Sequence, residues 1–362
     1  MDEKTTDAPK EKDGTASSTT TVPADPVDDL VTTEHTLRIG RTQLAYTATT
    51  GRIVLREEVY DDGAFTGLKA KAEVSITAYV AETSGDTPRP VTFAFNGGPG
   101  SSSVWLHLGL MGPRRVVSGD VGSLQAPPYG LTDNLESLLR VTDLVFIDPV
   151  STGFSRAVSG GTPKAYHGFT ADLESVGEVI RLWTTRNNRW LSPKFIAGES
   201  YGPVRAAALA EHLQTRRGMF LNGVILISSV IDLGSIGLHE PEDRGYVGFL
   251  PTYAAVAHFH GRRGKKSLRS VLAEAEKYAE RTYPWVLSRG HRITTRQRTD
   301  EVQTLARPHD PHEEYDDRAT PRPAPQHASL SISAPTRAVL PPRTPRPAGS
   351  DDDHAGITLF AV

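Results

Sequence analysis

The apolar run Phe195-Ile196-Ala197 stops abruptly at Gly198-Glu199-Ser200-Tyr201-Gly202, and Ala206, Ala207, Leu209, Ala210 and Leu213 then recur at helical spacing. A buried-type strand therefore meets a helix at Ser200. Glycines two positions to either side leave room where such a turn crowds strand against helix. A serine at that junction suits the tight bend called a nucleophile elbow, its hydroxyl exposed above a sheet edge. The plainer reading is a glycine-bounded turn, since both residue types are common in loops. Pro203 is compatible with either, because the first helical turn has no intrahelical partner for its N–H groups.

The same alternation recurs upstream and downstream. Val91-Thr92-Phe93-Ala94-Phe95 reads as a short buried strand that delivers Asn96-Gly97-Gly98-Pro99-Gly100-Ser101-Ser102-Ser103, and a simple turn would need only one or two of those glycines. Leu144-Val145-Phe146-Ile147 leads into Asp148-Pro149-Val150-Ser151-Thr152-Gly153-Phe154-Ser155, and Val224-Ile225-Leu226-Ile227 gives a further strand. Between them, Asp172 through Trp183 carries Leu173, Val176, Val179, Ile180 and Trp183 on one helical stripe. Strands alternating with helices from about residue 90 to 230 predict an α/β fold, a largely parallel central sheet with helices on both faces. Its functional loops lie at the carboxyl ends of the strands, so Asn96, Asp148 and Ser200 are expected on one rim. Before it, Leu37 and Ile39, Leu44 and Tyr46, Ile53 and Leu55, then Val74 to Val80 alternate with polar residues, with Gly40-Arg41 and Thr50-Gly51 as punctuation. These predict N-terminal antiparallel strands.

Residues 1–34 are rich in Thr, Ser, Asp, Lys and Pro and have too little apolar surface to offset ordering entropy, which predicts a disordered tail. The core is expected over 35–233, and a helical region over 234–306, where Ser267 opens a helix with Leu268, Val271, Leu272, Ala275, Tyr278 and Ala279 on one face. The apolar period fades between Leu233 and Leu250. Residues 307–362 are dense in Pro, Arg, Asp and His, which predicts a second disordered tail. The chain has no cysteine, so no disulfide or thiolate metal site is available. A formal net charge of -3 argues against a general nucleic-acid binder. Without an N-terminal apolar segment or a run of roughly 18 apolar residues, no membrane association and a cytoplasmic location are expected.

Three stretches, Asn96 to Ser102, Phe146 to Ser155 and Gly198 to Gly202, together resemble the serine carboxypeptidase family, which has the α/β-hydrolase fold. The resemblance runs from about Leu37 to about His260. It implies that Ser200 attacks the carbonyl of a peptide's last bond, forming an acyl-enzyme. The backbone N–H groups of Gly98 and Tyr201 would hold the oxyanion, and Asn96, Glu199 and the Gly97 N–H would grip the free C-terminal carboxylate of a peptide substrate. No metal or organic cofactor is implied. If Glu199 paired with another carboxylate, one of the two would have to keep a proton, in line with the family's preference for acidic pH. Two residues depart from the family pattern: Ser151 stands where glycine is usual, and Pro203 where a small residue is usual. The helical region 234–306 corresponds to an insertion that covers the active site in the family. Asp148, beside Pro149, reads as a structural turn and His107 as a packed helix residue, since the base in this fold follows the serine.

The catalytic Asp and His are not identifiable in the sequence. His258, His260, His291, His309, His312, His327 and His354 all follow Ser200, yet none closes an apolar strand run preceded by a plausible acid strand, and Asp351-Asp352-Asp353-His354 reads as a solvated charge cluster. The compositional break after Ala306 raises the hypothesis of a truncated or frame-shifted coding region. Three functions follow: a serine carboxypeptidase, an inactive relative that still binds peptide C-termini, or an esterase of the same fold. Neither oligomeric state nor the preferred C-terminal residue is legible.

Overall fold

The computed structural model describes residues 25–82, 85, 87–118, 127–230, 232–236, 242–261, 263–289, 292 and 294, so both predicted tails lie outside the described residues except for the last positions of the first. The chain divides into two compact units, Met1–Ser229 and Val230–Val362.

The first unit opens with three antiparallel strands, β1 (Asp29–Ile39), β2 (Thr42–Asp61) and β3 (Ala64–Ala81). β1 begins inside the stretch 1–34 that was expected to be a tail. Its residues up to Thr36 are exposed, so no burial pattern announces them, yet Asp29 through Ile39 pair residue for residue with Arg52 through Thr42. Backbone pairing, rather than side-chain burial, fixes this segment. Gly51, expected to punctuate two strands, lies inside the single strand β2. A Cβ there would fall 1.9 Å from the Asp29 carbonyl oxygen, so the glycine admits the backbone of β1.

β4 (Val91–Phe95) follows, then α1 (Val104–Leu106), which runs into a π-helical turn at His107–Met111. Two short strands, β5 (Arg114–Val116) and β6 (Leu131–Asp133), pair with each other. Next come β7 (Asp143–Ile147), β8 (Arg156–Ala157), the long helix α2 (Phe169–Arg186), β9 (Lys194–Glu199), α3 (Gly202–Arg217) and β10 (Gly223–Ile227). The main sheet runs β1-β2-β3-β7-β4-β9-β10, with β8 added on β3. β7, β4, β9 and β10 are mutually parallel, while β3 joins β7 antiparallel. This is the predicted α/β sheet with its N-terminal antiparallel wing.

The period of two sends alternate residues to opposite faces. Val91, Phe93, Phe95, Val145, Ile147 and Ile196 pack against Leu173, Val176, Val179, Ile180 and Trp183 of α2 and Ala206, Leu209 and Leu213 of α3. Ala94, Leu144, Phe146 and Ala197 face the other way, onto Leu106, Met111 and Leu139. Phe93 meets Trp183 edge to face, with ring centroids 5.6 Å apart. Ala207, placed on the helical stripe by sequence, is exposed. At the amino end of β7, buried Asp143 accepts from Arg89 Nε at 2.8 Å, Arg189 Nη1 at 2.6 Å and the Ala81 N–H at 3.0 Å. That acid ties β3, β7 and the loops before β4 and β9.

In the second unit, α4 (Arg244–Phe259), α5 (Leu268–Arg281) and α6 (Tyr283–Arg289) pack through Tyr246, Leu250, Ala279, Tyr283, Val286 and Leu287. Ser267 caps α5, accepting from the Ser270 N–H at 3.3 Å. α4 begins at Arg244, within the stretch whose apolar period fades, because only Gly245, Tyr246, Leu250, Ala254 and Ala257 are buried. Small residues carry little hydrophobic signal. Among the described residues, no helix is long and apolar enough to cross a membrane.

Candidate active site

Because β4, β7 and β9 are parallel and adjacent, Asn96, Asp148 and Ser200 leave their strands at the same rim. Ser200 sits between β9 and α3 with φ +61°, a left-handed conformation rarely adopted outside glycine. Its N–H donates to the Ile227 carbonyl at 3.1 Å, which anchors the bend to the end of β10. The hydroxyl makes no hydrogen bond among the described residues.

The flanking glycines serve close packing. A Cβ on Gly198 would lie 2.4 Å from the carbonyl carbon of Gly202, and one on Gly202 would lie 3.0 Å from the Phe95 carbonyl oxygen. Across from them, a Cβ on Gly97 would fall 2.3 Å from the Tyr201 nitrogen. The loop after β4 is thereby pressed against the residue that follows Ser200. Gly98 has φ +103°, which a side chain would strain.

Asn96 is fully buried. Its Nδ2 donates to Glu199 Oε2 at 2.9 Å, and its Oδ1 accepts from the Leu106 N–H at 3.0 Å. Glu199, adjacent to Ser200, is thus held through one carboxylate oxygen by the Asn96 amide. Asn96, Gly97, Glu199, Ser200 and Tyr201 lie together at this rim, and Gly98 follows directly in the same loop.

Asp148 lies one strand away, occupied by its own loop. Its Oδ1 accepts from the Ser103 N–H at 2.7 Å, and a Cβ on Gly153 would sit 1.9 Å from its Oδ2. Burial raises its pKa against the opposing effect of the Ser103 and Phe154 N–H groups. Ser151 has φ +74°, which explains why glycine suits that position. Ser151 Oγ lies 3.0 Å from His167 Nε2, but the pair is exposed and the Ser151 and Thr152 N–H groups bond within the loop, so no oxyanion site accompanies it. His107, expected to be packed, stacks on Phe146 at 4.7 Å and lies 2.6 Å from the Tyr79 hydroxyl.

A model of the serine carboxypeptidase family matches residues 72–295. The chain belongs to that family. Among solved structures, this serine carboxypeptidase family member is similar to a prohormone-processing carboxypeptidase from Saccharomyces cerevisiae, at 20% identity over 74% of this chain and 54% of the other, with a TM-score of 0.38. It is also similar to the rice cell wall degrading esterase LipA from Xanthomonas oryzae, at 12% identity over 67% and 59% of the two chains and a TM-score of 0.35. A third is the peroxisomal α/β-hydrolase Lpx1 from Saccharomyces cerevisiae, at 13% identity over 70% and 62% with a TM-score of 0.30. The chain spans about half the length of the yeast carboxypeptidase.

A buried pair beside the site of this family member was not read from the sequence. Arg205 of α3 is 2% exposed, and its Nε donates to Asp172 Oδ2 of α2 at 2.7 Å. A signal existed: each residue is a charge set on the apolar stripe of its helix, and the two charges are opposite.

Proposed function

We propose that this family member is a serine-type carboxypeptidase that releases C-terminal residues from peptides through an acyl-enzyme at Ser200. The observation that carries the reading is the Asn96–Glu199 hydrogen bond, 2.9 Å, beside a serine held at φ +61°. Ser200 Oγ forms a bond to the carbonyl carbon of the last peptide bond, its proton passing to a general base. The tetrahedral oxyanion takes hydrogen bonds from the Gly98 and Tyr201 N–H groups, a donor of this kind contributing about 2.7–4 kcal/mol. The C–N bond then breaks, the departing amino acid takes the proton, and water hydrolyses the ester. Glu199, steadied by Asn96, and the Gly97 N–H receive the substrate's terminal carboxyl group, so Glu199 must share a proton with it to avoid like-charge repulsion. This chemistry calls on no metal or organic cofactor.

A fluorophosphonate probe tests the reading. Labelling of the full chain at Ser200, and none in Ser200→Ala, is expected; a folded sample that takes no label overturns it. Blocked dipeptides assayed beside acyl esters separate a peptidase from an esterase.

A second reading, a protein that binds peptide C-termini without turnover, is motivated by the lack of an identifiable catalytic Asp and His in the sequence. A serine without its base keeps an acceleration of only about 10³ to 10⁴ over water, whereas a working triad adds about 10⁶. Calorimetry with free and C-terminally amidated peptides distinguishes carboxylate binding from none.

A further inference from the structure

Arg205 is among the largest fully buried side chains of the protein. Removing a guanidinium from water costs several kcal/mol, and a buried ion pair returns that only when its geometry is good and its remaining donors are satisfied. Here Nε reaches Asp172 Oδ2 at 2.7 Å and Nη1 reaches the Asn96 carbonyl oxygen at 2.9 Å. The guanidinium carbon also lies 5.1 Å from the Phe95 ring centroid and 5.2 Å from that of Tyr201.

These contacts converge. Asn96 immediately precedes Gly97 and Gly98, and Tyr201 immediately follows Ser200. One planar fork therefore bonds the Asn96 carbonyl, next to the Gly97-Gly98 segment, and lies against the ring of Tyr201, the residue whose N–H is assigned above to the oxyanion, while Asp172 fixes the fork from α2. Stability alone does not call for a charge there, since apolar residues of similar volume serve a core as well or better. Lysine cannot substitute, because a point charge lacks the two in-plane donor directions.

We propose that Arg205, seated by Asp172, is a positioning residue for the Ser200 centre that sets the spacing of the Gly98 and Tyr201 N–H groups. The proposal rests on the reading of Ser200 given above. It places Arg205 behind the site, touching no substrate, so its loss slows the chemical step and leaves probe binding intact.

The test is the concentration dependence of fluorophosphonate labelling in the full chain, Arg205→Lys, and the double variant Asp172→Leu with Arg205→Met, which leaves no unpaired buried charge. Thermal melts and circular dichroism establish that each is folded. The maximal labelling rate is expected to fall about 100-fold in both variants, as for a misplacement of about 1 Å, with the half-saturating probe concentration unchanged. Folded variants labelled at the parent rate, or a loss confined to half-saturation, overturn the positioning role while the Ser200 reading stands. Full recovery in Arg205→Lys also overturns it, since charge alone would then suffice. An unlabelled but folded parent chain overturns the Ser200 reading and this proposal together.

Discussion

At the scale of the residue, the backbone does much of the specifying. Ser200 holds a conformation that costs a non-glycine residue of order 1–3 kcal/mol, and the surrounding close contacts over-determine it. Gly97 shows how: methyl-sized bulk at that position would overlap the Tyr201 nitrogen, and no rotamer change relieves a clash with backbone. His107 carries a different consequence. Burial lowers its pKa from 6.5 to about 4, so in acid the unfolded chain binds the proton first. Stability contributed by neutral His107 is fully present above pH 6.5 and is lost as pH falls toward about 4, a change of about 3 kcal/mol. His107→Gln keeps a polar partner for the Tyr79 hydroxyl but cannot titrate. Urea midpoints measured between pH 4 and 7 should fall less steeply in that variant, and identical slopes would contradict the assignment. The sequence made His107 legible as packed, but not its partners Tyr79 and Phe146, which come from distant strands.

Among the elements, strands and helices between residues 90 and 230 were legible because their apolar residues follow periods of two and 3.6. The start of β1 was not, because its residues up to Thr36 are exposed and its hydrogen bonds go to β2, whereas Leu37 and Ile39 at its end were legible. The Asp143 junction was equally hidden, since a lone acid at a strand start reads as solvated. In the structure, Arg89 and Arg189 converge on it, and both are largely buried. Asp143→Ala would leave two guanidinium groups without their carboxylate and should destabilise the protein by about 3–5 kcal/mol, read as a lowered urea midpoint. Removing Glu274 from its exposed pair with Lys266 should leave the midpoint nearly unchanged. A comparable effect from both would mean that burial does not govern these pairs.

Taking the molecule whole, the main sheet ends at β10, whose outer edge has no strand partner among the described residues. Val224, Ile225 and Leu226 are 38%, 36% and 47% exposed, although the run reads as an interior strand. The sequence by itself determined the alternation of strands and helices, the bend at Ser200 and the family, because periodicity and short glycine spacings are local properties of a chain. Only the tertiary structure decided that Glu199 is held by Asn96, 103 positions earlier, and that Arg205 bonds Asp172 and Asn96 across 33 and 109 positions. Which distant polar groups meet depends on how the sheet and its helices pack, and no local pattern records that choice.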